Sequence, residues 1–228
     1  LQAVHFSGGM EGMPPARHTL TVRLARLLVG LPLYGVGCAL TVAAGLGVDP
    51  WTVLAEGISL RTGLGVGWVT NALGALILLA WIPLRQRPGI GTVLNVLLVG
   101  TCMQITLDLL PSIDHALLRV LALLAGIALV AIASGIYLGA ALGAGPRDGL
   151  MTGLSRRTGW PVWRSRASVE LTVLALGWVL GGTVGVGTIV FALGIGPAVH
   201  LAMRLLAPGA RESGSRAVES VPAARAAR

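Results

Sequence analysis

The chain has 228 residues, of which 54% are hydrophobic and only 11% charged, and its mean hydropathy is +0.81. That balance excludes an ordinary soluble domain and points to a chain that sits in lipid. The net charge of +8 comes from 17 arginines with no lysine, set between long apolar runs. Charge so placed reads as membrane-flanking, and nucleic acid is not an expected partner.

In chain order, residues 1–19 lack a secretory apolar core and read as a cytoplasmic segment, with Met13 as the expected native start. A bilayer crossing needs about 20 apolar residues. Six runs meet this, roughly 20–45, 64–84, 89–110, 116–142, 161–183 and 187–206. None shows the alternation of a barrel strand, so the expected fold is all-α and polytopic. Residues 208–228, rich in Ala, Arg, Ser and Pro, read as a disordered cytoplasmic tail.

The segment Leu46–Leu110 recurs, without a gap, as Leu142–Leu206. Under this 96-residue shift 19 of 65 positions are identical, against roughly a tenth expected from composition. The identities fall on structural punctuation, including Gly47, Pro50, Gly57, Ser59, Arg61, Thr62 and Gly63 with their copies Gly143, Pro146, Gly153, Ser155, Arg157, Thr158 and Gly159. Three runs per copy make two units, 20–111 and 112–207. An odd number of spans inverts the second unit relative to the first, an arrangement found mostly in transporters and channels. With the N-terminus inside, and the distant Arg225 and Arg228 set aside, 13 arginines lie inside and two, Arg61 and Arg119, outside. Both termini are therefore expected in the cytoplasm.

Each copy also carries a short element that starts at a proline and ends at a glycine, Pro50–Gly63 and Pro146–Gly159. At about 13 residues it is too short to span, so it either re-enters the membrane or lies along its surface. Re-entry aims a positive helix end into the bilayer and favours an anionic ligand. Gly89–Thr92 and Gly185–Thr188, both G-x-G-T, open the third and sixth runs, where free N–H groups suit a carboxylate or phosphate, or a tight turn. Glu170 lies one turn after Arg166, which suits a local ion pair. Gly74 holds the matching place in the first copy. Gln104 and His200 are matched polar positions at membrane depth, with Asn71 and Asn95 nearby in the first copy. The stripe Gly135, Gly139, Gly143 and its counterpart Ala39, Ala43, Gly47 predict close packing of the first and fourth runs.

The candidate substrate-binding residues are thus Pro50, Trp51, Glu56, Arg61, Thr62 and Thr92 in the first copy. In the second they are Pro146, Arg147, Asp148, Arg157, Thr158, Glu170, Thr188 and His200. Cys38 and Cys102 lie within apolar runs and read as inert. The histidines are scattered, so neither a metal nor a cofactor is expected. No nucleophile–base–acid set or phosphate loop occurs, and enzymatic activity is not expected.

At GLGVDPW and the following G-x-S-x-R-T-G, and at GAGPRDGLMTGLSRRTG, Glu170 and LGGTVGVGT through Phe191–Pro197, the chain resembles the YczE/YitT-type bacterial integral membrane proteins. The resemblance covers about residues 20–206 and implies a bacterial inner-membrane location. Many relatives carry Asp where this chain has Thr52, while Asp148 keeps an acid at the matching place in copy two. The expected function is a small transporter or exporter of an unknown polar or anionic solute; the rival is a membrane scaffold or regulatory protein. The bilayer and the solute are the expected partners, and a homo-oligomer is left open.

Overall fold

The computed structural model describes residues 19–206, so the expectations for the first 18 residues and for 208–228 lie outside the described residues. Eight helices account for most of the described chain: α1 (Leu20–Ala44), α2 (Pro50–Thr62), α3 (Val66–Trp81), α4 (Ile90–Leu109), α5 (Ala116–Leu138), α6 (Pro146–Thr158), α7 (Val162–Val179) and α8 (Val186–Leu206). No strand occurs among the described residues. The starts of α1 to α4 and of α5 to α8 differ by 96 residues in every case. The duplication is therefore a duplication of helices as well as of letters.

The short helices show why. Pro50 and Pro146 each occupy the first turn, where a missing N–H costs nothing. Asp49 caps α2 by accepting from the Trp51 and Thr52 N–H groups and from the Thr52 hydroxyl. Gly63 and Gly159 end the two helices at φ 73° and 72°, a conformation that glycine adopts without a Cβ penalty.

Four helices, α1, α4, α5 and α8, are by themselves long and apolar enough to cross a bilayer, and α2 with α3 forms a pair bent by 114° that makes a fifth candidate. The six independent spans expected from the sequence are not reached by this measure. The run 64–84 yields a helix of only 16 residues, because Ile82 precedes Pro83 and the chain turns there. The run 161–183 yields 18 residues, which include Arg164, Arg166 and Glu170.

The core is built on α1, which packs against α5 and α4, while α5 packs against α8. Close approaches of Gly30 to Ala133 and Tyr137, of Gly37 to Val130, and of Gly126 to Thr41 set the α1–α5 register. Residue numbers that rise on one helix fall on the other, so the two helices are antiparallel. Arginines fix both ends of this pair. Arg119 donates to the Ala44 and Gly45 carbonyls at 2.6 Å each, and the matching Arg23 donates to Ala140 and Ala141 at 2.7 and 2.6 Å. Each guanidinium thus satisfies carbonyls left free where a helix ends.

The expected meeting of the first and fourth runs occurs, but not through the predicted glycine stripe. Gly135 faces Ala202 on α8, Gly139 faces the Arg26 side chain, and Gly143 lies beyond the end of α5 at φ 135°. Only Gly135 lies within α5, which stops at Leu138, and it turns toward α8, so the spacing does not meet α1 as a stripe.

Around this centre α2 packs on α7 and α3 on α6, and α2 on α3 matches α6 on α7. The largest departure from the pattern is that α3 packs along α4, whereas α7 and α8 do not pack along one another.

Candidate functional site

The loops that lead into α2 and α6 begin at opposite ends of the α1–α5 pair, since Gly45 lies at the start of α5 and Ala141 at the start of α1. A 25-residue helix is about 37 Å long. Asp49 and Arg147 nevertheless touch, with Nη1 of Arg147 donating to Oδ1 of Asp49 at 3.1 Å. At no more than about 3.6 Å per residue, the two loops bring these side chains together only by running inward from both ends. The first turns of α2 and α6 therefore meet in the interior.

Trp51 and Arg147 occupy matching positions of the two copies, and the guanidinium carbon lies 5.3 Å from the centre of the indole ring. Cation–π attraction and the Asp49 carboxylate hold Arg147 from two sides. The Asp49 side chain is 7% exposed and that of Arg147 28% exposed, so the pair is largely withdrawn from solvent. Trp81 donates its indole N–H to the Pro146 carbonyl at 3.0 Å, while the indole N–H of Trp51 is buried without a partner. A cavity of about 30 Å³ lies beside the pair, lined by Trp51, Thr70, Asn95, Pro146 and Arg147 and by apolar groups of α3 and α4. It has room for one or two waters and no solute.

The other candidate residues sit elsewhere. Arg61 donates to the Leu180 carbonyl at 3.3 Å and Arg157 to the Pro83 carbonyl at 2.7 Å, both at the far ends of the short helices. Eleven residues from Pro50 to Arg61 amount to about 16 Å along the helix, so these arginines are not brought to the central pair. Thr62 and Thr158 donate to the Ile58 and Leu154 carbonyls, closing the last turns. Glu56 is buried and accepts from the Thr183 N–H at 2.8 Å. Asp148 lies in the first turn of α6, beside Gly145. Glu170 pairs with Arg166 at 3.0 Å, the local ion pair that the spacing suggests. His200 is exposed on α8, whereas its mate Gln104 is buried, accepting from the Gly67 N–H and donating to Asp108.

The G-x-G-T turns bind the protein's own backbone. The Gly91 N–H donates to the Leu142 carbonyl at 3.0 Å and the matching Gly187 N–H to Leu46 at 2.7 Å. Thr92 donates to the Ala144 carbonyl at 2.7 Å, and Thr188 accepts from the Gly185 N–H at 3.3 Å. Each turn therefore anchors the inward-running loop of the other copy, and these Gly91 and Gly187 groups are occupied.

Residues 21–204 match a family described as a family of unknown function, DUF6198. The chain belongs to this family. Its relatives include a protein of Haemophilus influenzae named "Uncharacterized protein", 39% identical over 79% of this chain and 83% of its own length. A Bacillus subtilis protein named "Uncharacterized membrane protein YczE" is 34% identical over 78% of this chain and 83% of its own. No solved structure matches the chain. The YczE side of the resemblance drawn from the motifs is thus shown, and with its apolar helices the chain is a membrane protein of this family.

Asp49 is the site residue that the sequence reading left out. Locally it explains itself as the α2 cap, and its partner is 98 residues away. The available signal was the pairing of an acid before Pro50 with a base after Pro146, at the same junction in the two copies.

Proposed function

We propose that this membrane protein is a small secondary transporter that moves a polar or anionic solute by alternating access between two inverted halves. Each half comprises three spans and one re-entrant short helix. The observation that carries the proposal is the convergence of two helix N-termini on one interior point, with Arg147 between Trp51 and Asp49. Helix N-termini carry partial positive charge, and re-entrant half-helices of inverted repeats supply solute sites in this way. Arg147 adds a full cation, and Asp49 is the anion that a solute would displace or share. The cavity there is too small for a solute, so transport requires the halves to move apart around the pair.

By the arginine distribution both termini face the cytoplasm of a bacterial inner membrane. A second reading, a non-transporting scaffold, draws on the internal bonds of Arg61, Arg157 and both G-x-G-T turns. Comparative metabolite profiling and vesicle uptake, wild type against Arg147→Gln and deletion, separate the two. Transport is expected to shift the distribution of at least one polar solute and to be lost in Arg147→Gln. Identical distributions in all three strains favour the scaffold. A reporter fused after Arg211 is expected in the cytoplasm, and a periplasmic signal overturns the orientation.

A further inference from the structure

The two copies match in the starts of their helices and differ in one seam. Along the α3–α4 seam Gly67 lies against the Gly100 carbonyl with no space for a side chain. Asn71 donates to the Leu97 carbonyl at 3.3 Å and to the Thr101 hydroxyl at 2.9 Å, and Gln104 accepts from the Gly67 N–H at 3.0 Å. The seam is thus zipped by one glycine contact and two amide clasps, the small-residue and hydrogen-bonded packing expected of helices in lipid.

At the matching positions of α7 and α8 stand Trp163, Ala167, Gly196 and His200. The bulk of Trp163 replaces the close approach of Gly67, and Ala167 supplies no amide. The packing follows this chemistry: α7 and α8 stand apart, and no atom lies within 4 Å of where a side chain at Gly194 or Gly196 would be. The matching position on α7 is not apolar. Gly74 faces Val96 across the zipped seam, and the residue at its place on α7 is Glu170. Glu170 is paired with Arg166, and their side chains remain 34% and 57% exposed. Glu170 lies eight residues into α7, about 12 Å along the helix. A charged pair left half open to hydrocarbon at that depth is costly, whereas one lining a water-filled cavity is the usual arrangement.

We propose that the cleft between α7 and α8 is a water-filled entrance leading from the cytoplasmic side to the central Arg147–Asp49 pair. The zipped α3–α4 seam is the corresponding gate, shut, on the opposite side. The inference rests on the transporter reading for its direction, while the accessibility it requires is measured without any solute. Opening of the far gate then means parting Gly67 from Gly100 and releasing the Asn71 and Gln104 clasps.

The test uses the full chain with Cys38→Ala and Cys102→Ser, carrying single cysteines and probed with a membrane-impermeant methanethiosulfonate in vesicles of each orientation. Ala167→Cys and Ala192→Cys are expected to react at least tenfold faster from the cytoplasmic face than from the other. Val96→Cys, which mirrors Ala192, is expected to react from neither. Adding Gly67→Trp, the residue of copy two, is expected to open the seam and make Val96→Cys reactive from the outer face. Where that variant does not fold, Asn71→Ala with Gln104→His removes both clasps and is expected to have the same effect. Unreactive Ala167→Cys and Ala192→Cys overturn the entrance, since the cleft is then filled by lipid or protein. A Val96→Cys that stays silent in both opened seams overturns the gate. If labelling proceeds as expected while no solute moves in the uptake assay, the transporter reading fails and the water-filled cleft stands.

Discussion

Replacing Asp49 separates the two tasks that this residue performs. It caps α2 through the Trp51 and Thr52 N–H groups and it pairs with Arg147 at 3.1 Å. Removing one partner of a fully buried ion pair costs about 3–5 kcal/mol, chiefly because the other charge is left uncompensated. The Arg147 side chain is 28% exposed, which places the cost near the lower end, about 3 kcal/mol. Asparagine keeps a capping oxygen, so Asp49→Asn is expected to show the ion-pair cost alone. Asp49→Ala loses the cap as well and adds about 1 kcal/mol. Arg147→Gln strands the Asp49 carboxylate and is expected to cost about as much as Asp49→Asn. The double variant Asp49→Asn with Arg147→Gln leaves two neutral amides, and a coupling of about 2 kcal/mol is expected in the cycle. Reversible unfolding in mixed micelles, titrated with a denaturing detergent, measures all four. Costs that add to within about 0.5 kcal/mol refute the pairing.

Two further predictions use the same measurement. Arg23→Ala and Arg119→Ala each remove a guanidinium from two helix-end carbonyls and are expected to cost about 2 kcal/mol. Lysine at either place is expected to restore less than half of that, because its single ammonium does not reproduce the planar fork. Gly37→Ala pushes a methyl against Val130 and is expected to destabilise by about 1–3 kcal/mol. Gly194→Ala meets nothing and is expected to be neutral or to stabilise by up to about 1 kcal/mol through helix propensity. An equal loss at both positions contradicts the α1–α5 packing.

Much of the helix layout is local and therefore legible. Pro50, Pro146, Gly63 and Gly159 set the short helices through backbone geometry that operates within a few residues. The 96-residue shift carries those boundaries from one copy to the other. The site was legible only in part. Trp51 and Arg147 stand out by position, but their meeting requires two loops to run inward from opposite ends of α1 and α5. The G-x-G-T turns show the opposite difficulty. Repetition marks Gly91 and Gly187 as important, yet the acceptors that occupy their N–H groups lie 51 and 141 residues away.

That the chain lives in lipid, is helical and is doubled is written in the local string, through hydropathy, helix breakers and repetition. The pairing of Asp49 with Arg147, the joining of α1 and α5 through Gly30, Gly37 and Gly126, and the separation of α7 from α8 come from long-range packing. Those outcomes depend on which surfaces meet after the helices form. At the seams the difference between Gly67 and Trp163 is one side chain, and it has a consequence only where another helix either approaches or does not.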